Sequence, residues 1–175
     1  GAITITFGLA QALQFRQGSD DYLLATNGIR VQDSASSASL TGRVDSALFN
    51  TEAPCDAKPD PEAGNRIYPY EGTGLDAGQA GDVFTSDRTT EVPEGAAAPF
   101  AVATLSEDTL TGNWQYALGF LTAGDYTLAF SCDAEDDDAV DYDGIQVPLP
   151  DNQVFELTLG ENASAVCDLE PGGSC

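Results

Sequence analysis

A chain of 175 residues with 42% hydrophobic content is long enough for one well-packed domain and too apolar to be disordered throughout. Its 29 acidic residues against 6 basic ones give a net charge of −23, which repels nucleic-acid phosphates and anionic lipid head groups and so excludes both as partners. No histidine is present, which excludes a serine or cysteine nucleophile activated by an imidazole base, and no apolar run approaches the length of a membrane span.

Residues 2–7, AITITF, alternate Ile3, Ile5 and Phe7 and predict a strand. Residues 9–16 are weakly patterned, a short helix or a wide connection. Residues 22–31 read as extended, with Asn27-Gly28 as a turn or bulge signal, and serines and alanines at 34–39 form a soft linker. Residues 40–49 open a fresh β-unit, and 50–65 are a polar loop that contains Cys55. Residues 66–70, RIYPY, predict a short strand whose Pro69 argues for an edge position. The longest poorly patterned stretch is 72–98, followed by a strand at 100–105.

The strongest signal lies at 113–132, NWQYALGFLTAGDYTLAFSC. Trp114, Tyr116, Leu118 and Phe120 recur every second residue, a break follows at 122–125, and Tyr126, Leu128 and Phe130 alternate again. A period of two marks strands with one buried face, and Gly124 stands where a turn needs a positive φ. Further strands are expected at 145–149, 154–159 and 165–169. With 18 glycines and 9 prolines at short intervals and no long amphipathic helix, the fold class is all-β, a sandwich.

The four cysteines Cys55, Cys132, Cys167 and Cys175 include no Cys-x-x-Cys pair, so zinc is poorly supported, and their even number favours disulfides. Of the three possible pairings, the Pro-Gly-Gly turn in CDLEPGGSC favours Cys167–Cys175, leaving Cys55–Cys132. Many carboxylates and a single lysine, Lys58, suit a salt-rich or extracellular medium in which self-repulsion is screened. The expected location is extracytoplasmic: the cell surface, the periplasm or the medium of a salt-tolerant bacterium. A first residue that is not Met, in a chain without methionine, reads as a processed or truncated product.

Few residue groups carry chemistry. The run 133–144, DAEDDDAVDYDG, supplies half of a D-x-D-x-D-G calcium loop, with Ala139 where the first aspartate belongs and no glutamate downstream. One reading is a solvated loop whose charges protect a strand edge from aggregation. The other is a calcium site with Asp136, Asp138, Asp141 and Asp143 as ligands. Trp114, Tyr116 and Tyr126 could stack on a sugar, but their alternation places them in the core. Tyr68, Tyr70 and Tyr142 are the better candidates for surface contacts. A paired-carboxylate glycosidase site carries no weight, because 29 acids always allow some pair. The apolar strand at 2–7 wants a sheet edge, either residues 22–31 of its own chain or a neighbouring molecule.

From Leu40 onward the order of signals, SLTGRVD, FLTAGDYTL and VFELTLGENASAVCDL, resembles the carboxypeptidase regulatory-like, or transthyretin-like, β-sandwich module. Thr122 and Ala123 stand where that family's middle motif has a proline. Residues 1–38, through ITITFGLAQAL and YLLATNGIRVQDSASSASLTGRVD, resemble the C-terminal end of an uncharacterised domain of bacterial exported lipoproteins. The resemblance implies a Greek-key sandwich of about seven strands over 39–175, preceded by an N-terminal β segment, 1–38, that belongs to a larger domain. It implies no catalytic residues. The expected function is therefore a non-enzymatic surface or extracellular protein with a structural or adhesive role, assembling into fibres by strand addition with itself, or contacting other surface proteins and glycans. The alternative is a calcium- or carbohydrate-binding accessory module of a surface lipoprotein.

Overall fold

Period-two alternation becomes strand wherever it is strongest. The computed structural model describes residues 1–16, 21–24, 28–48, 55, 61–84, 90–135, 137, 140–145, 147 and 152–175. In the N-terminal part, β1 (Ile3–Phe7) is followed by the one-turn helix α1 (Leu9–Ala12), β2 (Leu13–Arg16), β3 (Asp21–Leu24) and β4 (Ile29–Asp33). Then come β5 (Ala38–Val44), the single turn α2 (Pro61–Gly64), β6 (Arg66–Glu71), β7 (Ala103–Thr104), β8 (Ser106–Asp108), β9 (Asn113–Leu121), β10 (Gly124–Ser131), β11 (Val154–Leu159) and β12 (Ser164–Val166).

Two four-stranded sheets, ordered β11-β10-β6-β7 and β12-β5-β9-β8, form the sandwich. Its core sits between them. Leu40, Tyr116, Leu118 and Leu121 of one sheet meet Leu128, Phe130, Phe155 and Leu159 of the other. The corner between β9 and β10 is fixed by Tyr126, whose hydroxyl donates to the Thr122 carbonyl at 3.0 Å, while Gly124 takes φ +156° as the turn reading requires. Disulfides join Cys55 to Cys132 and Cys167 to Cys175, the pairing that the Pro-Gly-Gly turn favours.

Four expectations are corrected. Phe120 is not a core residue but 41% exposed. The pairing of β5 with β9 slips between Ala38 and Leu40, and Phe120 sits in the bulge at φ +56°, so Leu121 takes the inward position instead. Tyr68 and Tyr70 are fully buried, not surface tyrosines. The patternless stretch after β6 folds over the outer face of its sheet, and these tyrosines form a second core there with Val83, Ala129 and Ala134. A strand covered on both faces loses its alternation, which hid it. Of the strand expected at 145–149, Ile145 and Val147 are in no strand and pack onto that second core, while 146, 148 and 149 lie outside the described residues. Finally, β6 is an inner strand, yet Pro69 is tolerated because the β7 ladder stops at Arg66 and Ile67, and beyond it Pro69 need only accept, its carbonyl taking the Phe100 N–H at 2.7 Å.

The N-terminal residues stay out of the sandwich. β1 pairs antiparallel with β4, from Ile3 opposite Asp33 to Phe7 opposite Ile29, and β2 pairs with β3. The first strand thus finds its partner within its own chain, and residues 9–16 split into a helical turn and a strand.

Candidate functional site

Two features stand out against an otherwise closed, acidic sandwich. The first is the β1–β4 sheet, whose polarity is inverted. Thr4, Thr6, Arg30 and Gln32 share the half-buried inner face, where Thr4 Oγ1 lies 2.5 Å from Ser34 Oγ and Arg30 stacks 4.9 Å from the centroid of the Phe100 ring. The outer face carries Ile3, Ile5, Phe7 and Val31, at 70%, 54%, 51% and 64% exposure, with exposed Asp33 at its end opposite Ile3. Ile5 and Val31 are directly opposed across the ladder. In an antiparallel two-stranded sheet one face is ordinarily apolar and turned to the core. Here the apolar face looks away from it, and exposed contiguous apolar faces mark interaction sites. Each strand has one partner, so among the described residues both outer edges of the sheet are open.

The second feature is a carboxylate cluster. Asp82, Asp137 and Asp143 place one oxygen each within 4.8 Å of one another. Asp82 is buried, and its carboxylate accepts the backbone N–H groups of Val83 and, at 3.5 Å, of Asp143. Tyr68 donates its hydroxyl to Asp137. Carboxylate oxygens are the ligands that hard divalent cations take, and three of them supply part of the six to eight that calcium prefers. Of the four aspartates read from the sequence, Asp143 belongs to this cluster, Asp141 is exposed outside it, and Asp136 and Asp138 lie outside the described residues. Asp82 and Asp137 were not singled out. Asp82 comes from the patternless stretch, and its one local cue is a lone carboxylate in the apolar-flanked segment Ala80–Val83.

Burial first, then the hydrogen bond and charge of Asp143, push the Asp82 carboxyl up to about 8. Between the ordinary carboxylate value and that figure the folded chain holds a proton that the unfolded chain has lost. This contribution is therefore complete in acid, declines as pH rises, and is gone above about pH 8, at no more than about 1.4 kcal/mol per pH unit. Asp82→Asn should flatten the stability profile between pH 5 and 9 relative to wild type, as measured by urea unfolding. Parallel profiles would contradict the assignment.

No family model, curated protein or solved structure matches the chain. No helix among the described residues is long and apolar enough to cross a membrane, and the two disulfides fit an oxidising compartment.

Proposed function

We propose that this chain is a non-enzymatic structural module of an extracytoplasmic assembly, and that it joins a second copy of itself through the outer face of the β1–β4 sheet. The observation that carries this reading is the row Ile3, Ile5, Phe7 and Val31, turned to solvent on a sheet with open edges. Electrostatics favours the same face. Residues 1–33 hold two arginines and three aspartates, a net −1, which leaves −22 on residues 34–175. Two copies therefore meet through the least charged part of a mutually repelling molecule, and salt strengthens their contact by screening the remainder. Edge-to-edge pairing about a two-fold axis closes on itself, whereas a head-to-tail contact continues into a fibre.

Sedimentation velocity in high and low salt tests the proposal. Wild type should associate in a concentration-dependent way, more strongly in high salt. Ile5→Asp combined with Val31→Asp should weaken association at least about 100-fold, because each unpaired carboxylate buried in the interface costs a few kcal/mol. A wild-type chain that stays monomeric at every concentration and salt sinks it.

A second reading, a divalent cation held by Asp82, Asp137 and Asp143, is favoured by their 4.8 Å cluster. Calcium would compete with the Asp82 proton, so it should raise the melting temperature of wild type more at pH 8 than at pH 5, and that of Asp82→Asn at neither. No shift in wild type at pH 8 removes this reading.

A further inference from the structure

A groove of about 460 Å³ runs between the N-terminal sheet and the flank of β9. It exists because β8 accompanies β9 only over Asn113–Gln115, so the second half of β9 has no strand beside it on that flank among the described residues. Phe7 and Leu9 form one wall of the groove, with Val102 and Phe120 among the residues opposite. Phe120 holds φ +56°, a left-handed conformation that costs a bulky aromatic residue about 1–3 kcal/mol. Strain of that kind persists where the surrounding structure imposes it, and it gathers at binding sites.

The charge lining the groove is the reverse of the chain's. Arg30 and Arg66, two of only six basic residues, line it, and no acidic residue among those described does. Three other clefts include acids: Asp45, Asp168 and Glu170 in one, Asp168 in another, Asp33 and Glu161 in a third. Arg30 is half-buried, caps the Phe100 ring at 4.9 Å, and reaches a single carbonyl, that of Phe120, at 3.4 Å. Among the described residues it pairs with no carboxylate. Burial makes its charged form less favourable than in water. A half-buried guanidinium in this state gains most from an anion that can accept two of its parallel N–H groups. Arg66 adds a second positive charge, its Nη1 held by the carbonyls of Glu62 at 2.7 Å and Asn65 at 2.9 Å.

We propose that this groove binds an amphipathic carboxylate: an elongated apolar body seated against Phe7, Leu9, Val102 and Phe120, with its carboxylate on the Arg30 guanidinium. The volume falls within the range of about 300–1,000 Å³ usual for small-molecule sites, and an apolar lining with a few convergent polar groups is their usual chemistry. The site meets the outer face of the β1–β4 sheet only at Phe7, while Arg30, which would hold the carboxylate, lies on the inner face of that sheet.

Decanoate, added to the full chain below its micellar concentration and followed by calorimetric titration, is the probe. The expected result is saturable binding of one decanoate per chain, at least tenfold weaker for decanol and for Arg30→Gln. Thr104→Glu, which leaves Arg30 in place but puts a carboxylate into the groove, should also weaken decanoate binding at least tenfold with an unchanged near-ultraviolet circular dichroism spectrum. The assembly variant, Ile5→Asp with Val31→Asp, should bind decanoate like wild type, so this result and the self-association result stand or fall separately. Decanol binding as tightly as decanoate, unchanged affinity in Thr104→Glu, or the absence of saturable binding overturns the proposal.

Discussion

Replacing Cys55 and Cys132 together by alanine should lower the unfolding free energy by about 4.5 kcal/mol, and removing Cys167 and Cys175 by about 2.5 kcal/mol. The difference comes from the chain closed by each bridge: 77 residues separate the first pair and 8 the second. A longer closed loop removes more entropy from the unfolded chain, and the logarithm of its length sets the gain. Cys55 and Cys132, the latter immediately after β10, are also both buried in the main core, so their loss opens space there. Set against a total stability of about 5–15 kcal/mol, the long bridge is a large share, and the short one affects mainly the C-terminal tail. Urea unfolding of the two double variants gives both numbers. Equal losses would show that the long bridge constrains a chain already held by its sheets.

The second large effect is at Gly42, on β5. A Cβ built there would lie 1.8 Å from the Cys167 carbonyl oxygen and 2.7 Å from Cε1 of the Tyr116 ring. Neither neighbour can give way cheaply. Tyr116 donates its hydroxyl to that same carbonyl at 2.8 Å, and the Cys167 N–H donates to Thr41 at 2.9 Å. β12 runs parallel beside β5, and the residue that follows it, Cys167, brings its carbonyl onto Gly42, where glycine is what lets the two backbones touch. Gly42→Ala should cost about 3 kcal/mol or more, by overpacking and by loss of the Tyr116 hydrogen bond. Gly78→Ala serves as the control. Nothing lies within 4 Å of a Cβ at Gly78, so the change should stay within about 0.5 kcal/mol. Thermal unfolding of the two variants should differ clearly, and similar melting temperatures would contradict the close approach.

Strands with one covered face were legible because their side chains alternate. β9, β10 and β11 lie where the residue pattern puts them, and the Gly124 corner and the Cys167–Cys175 bridge follow from local chemistry, with Cys55–Cys132 the pair left over. Three features were not legible, each for a physical reason. Phe120 continues the alternation perfectly in sequence, but one extra residue in β9 relative to β5 turns it outward; bulges leave no mark on periodicity. Tyr68 and Tyr70 share a strand buried on both faces, where period-two patterning disappears. For the N-terminal strand, the pattern showed that Ile3, Ile5 and Phe7 share a face, but a period cannot say whether that face points into the domain or away from it. The carboxylate cluster was only half visible: Asp143 sits in an obvious acidic run, whereas Asp82 joins it through a long-range fold-back of the loop after β6.

The inverted β1–β4 sheet is the centre of this account, and hydrogen exchange at several protein concentrations tests it most directly. Wild-type chain in high salt should show amide protection at Ile3–Phe7 and Ile29–Asp33 that rises with concentration, while β9 and β10 of the sandwich stay equally protected throughout. Protection at Ile3–Phe7 that does not change with concentration would contradict self-association through this face.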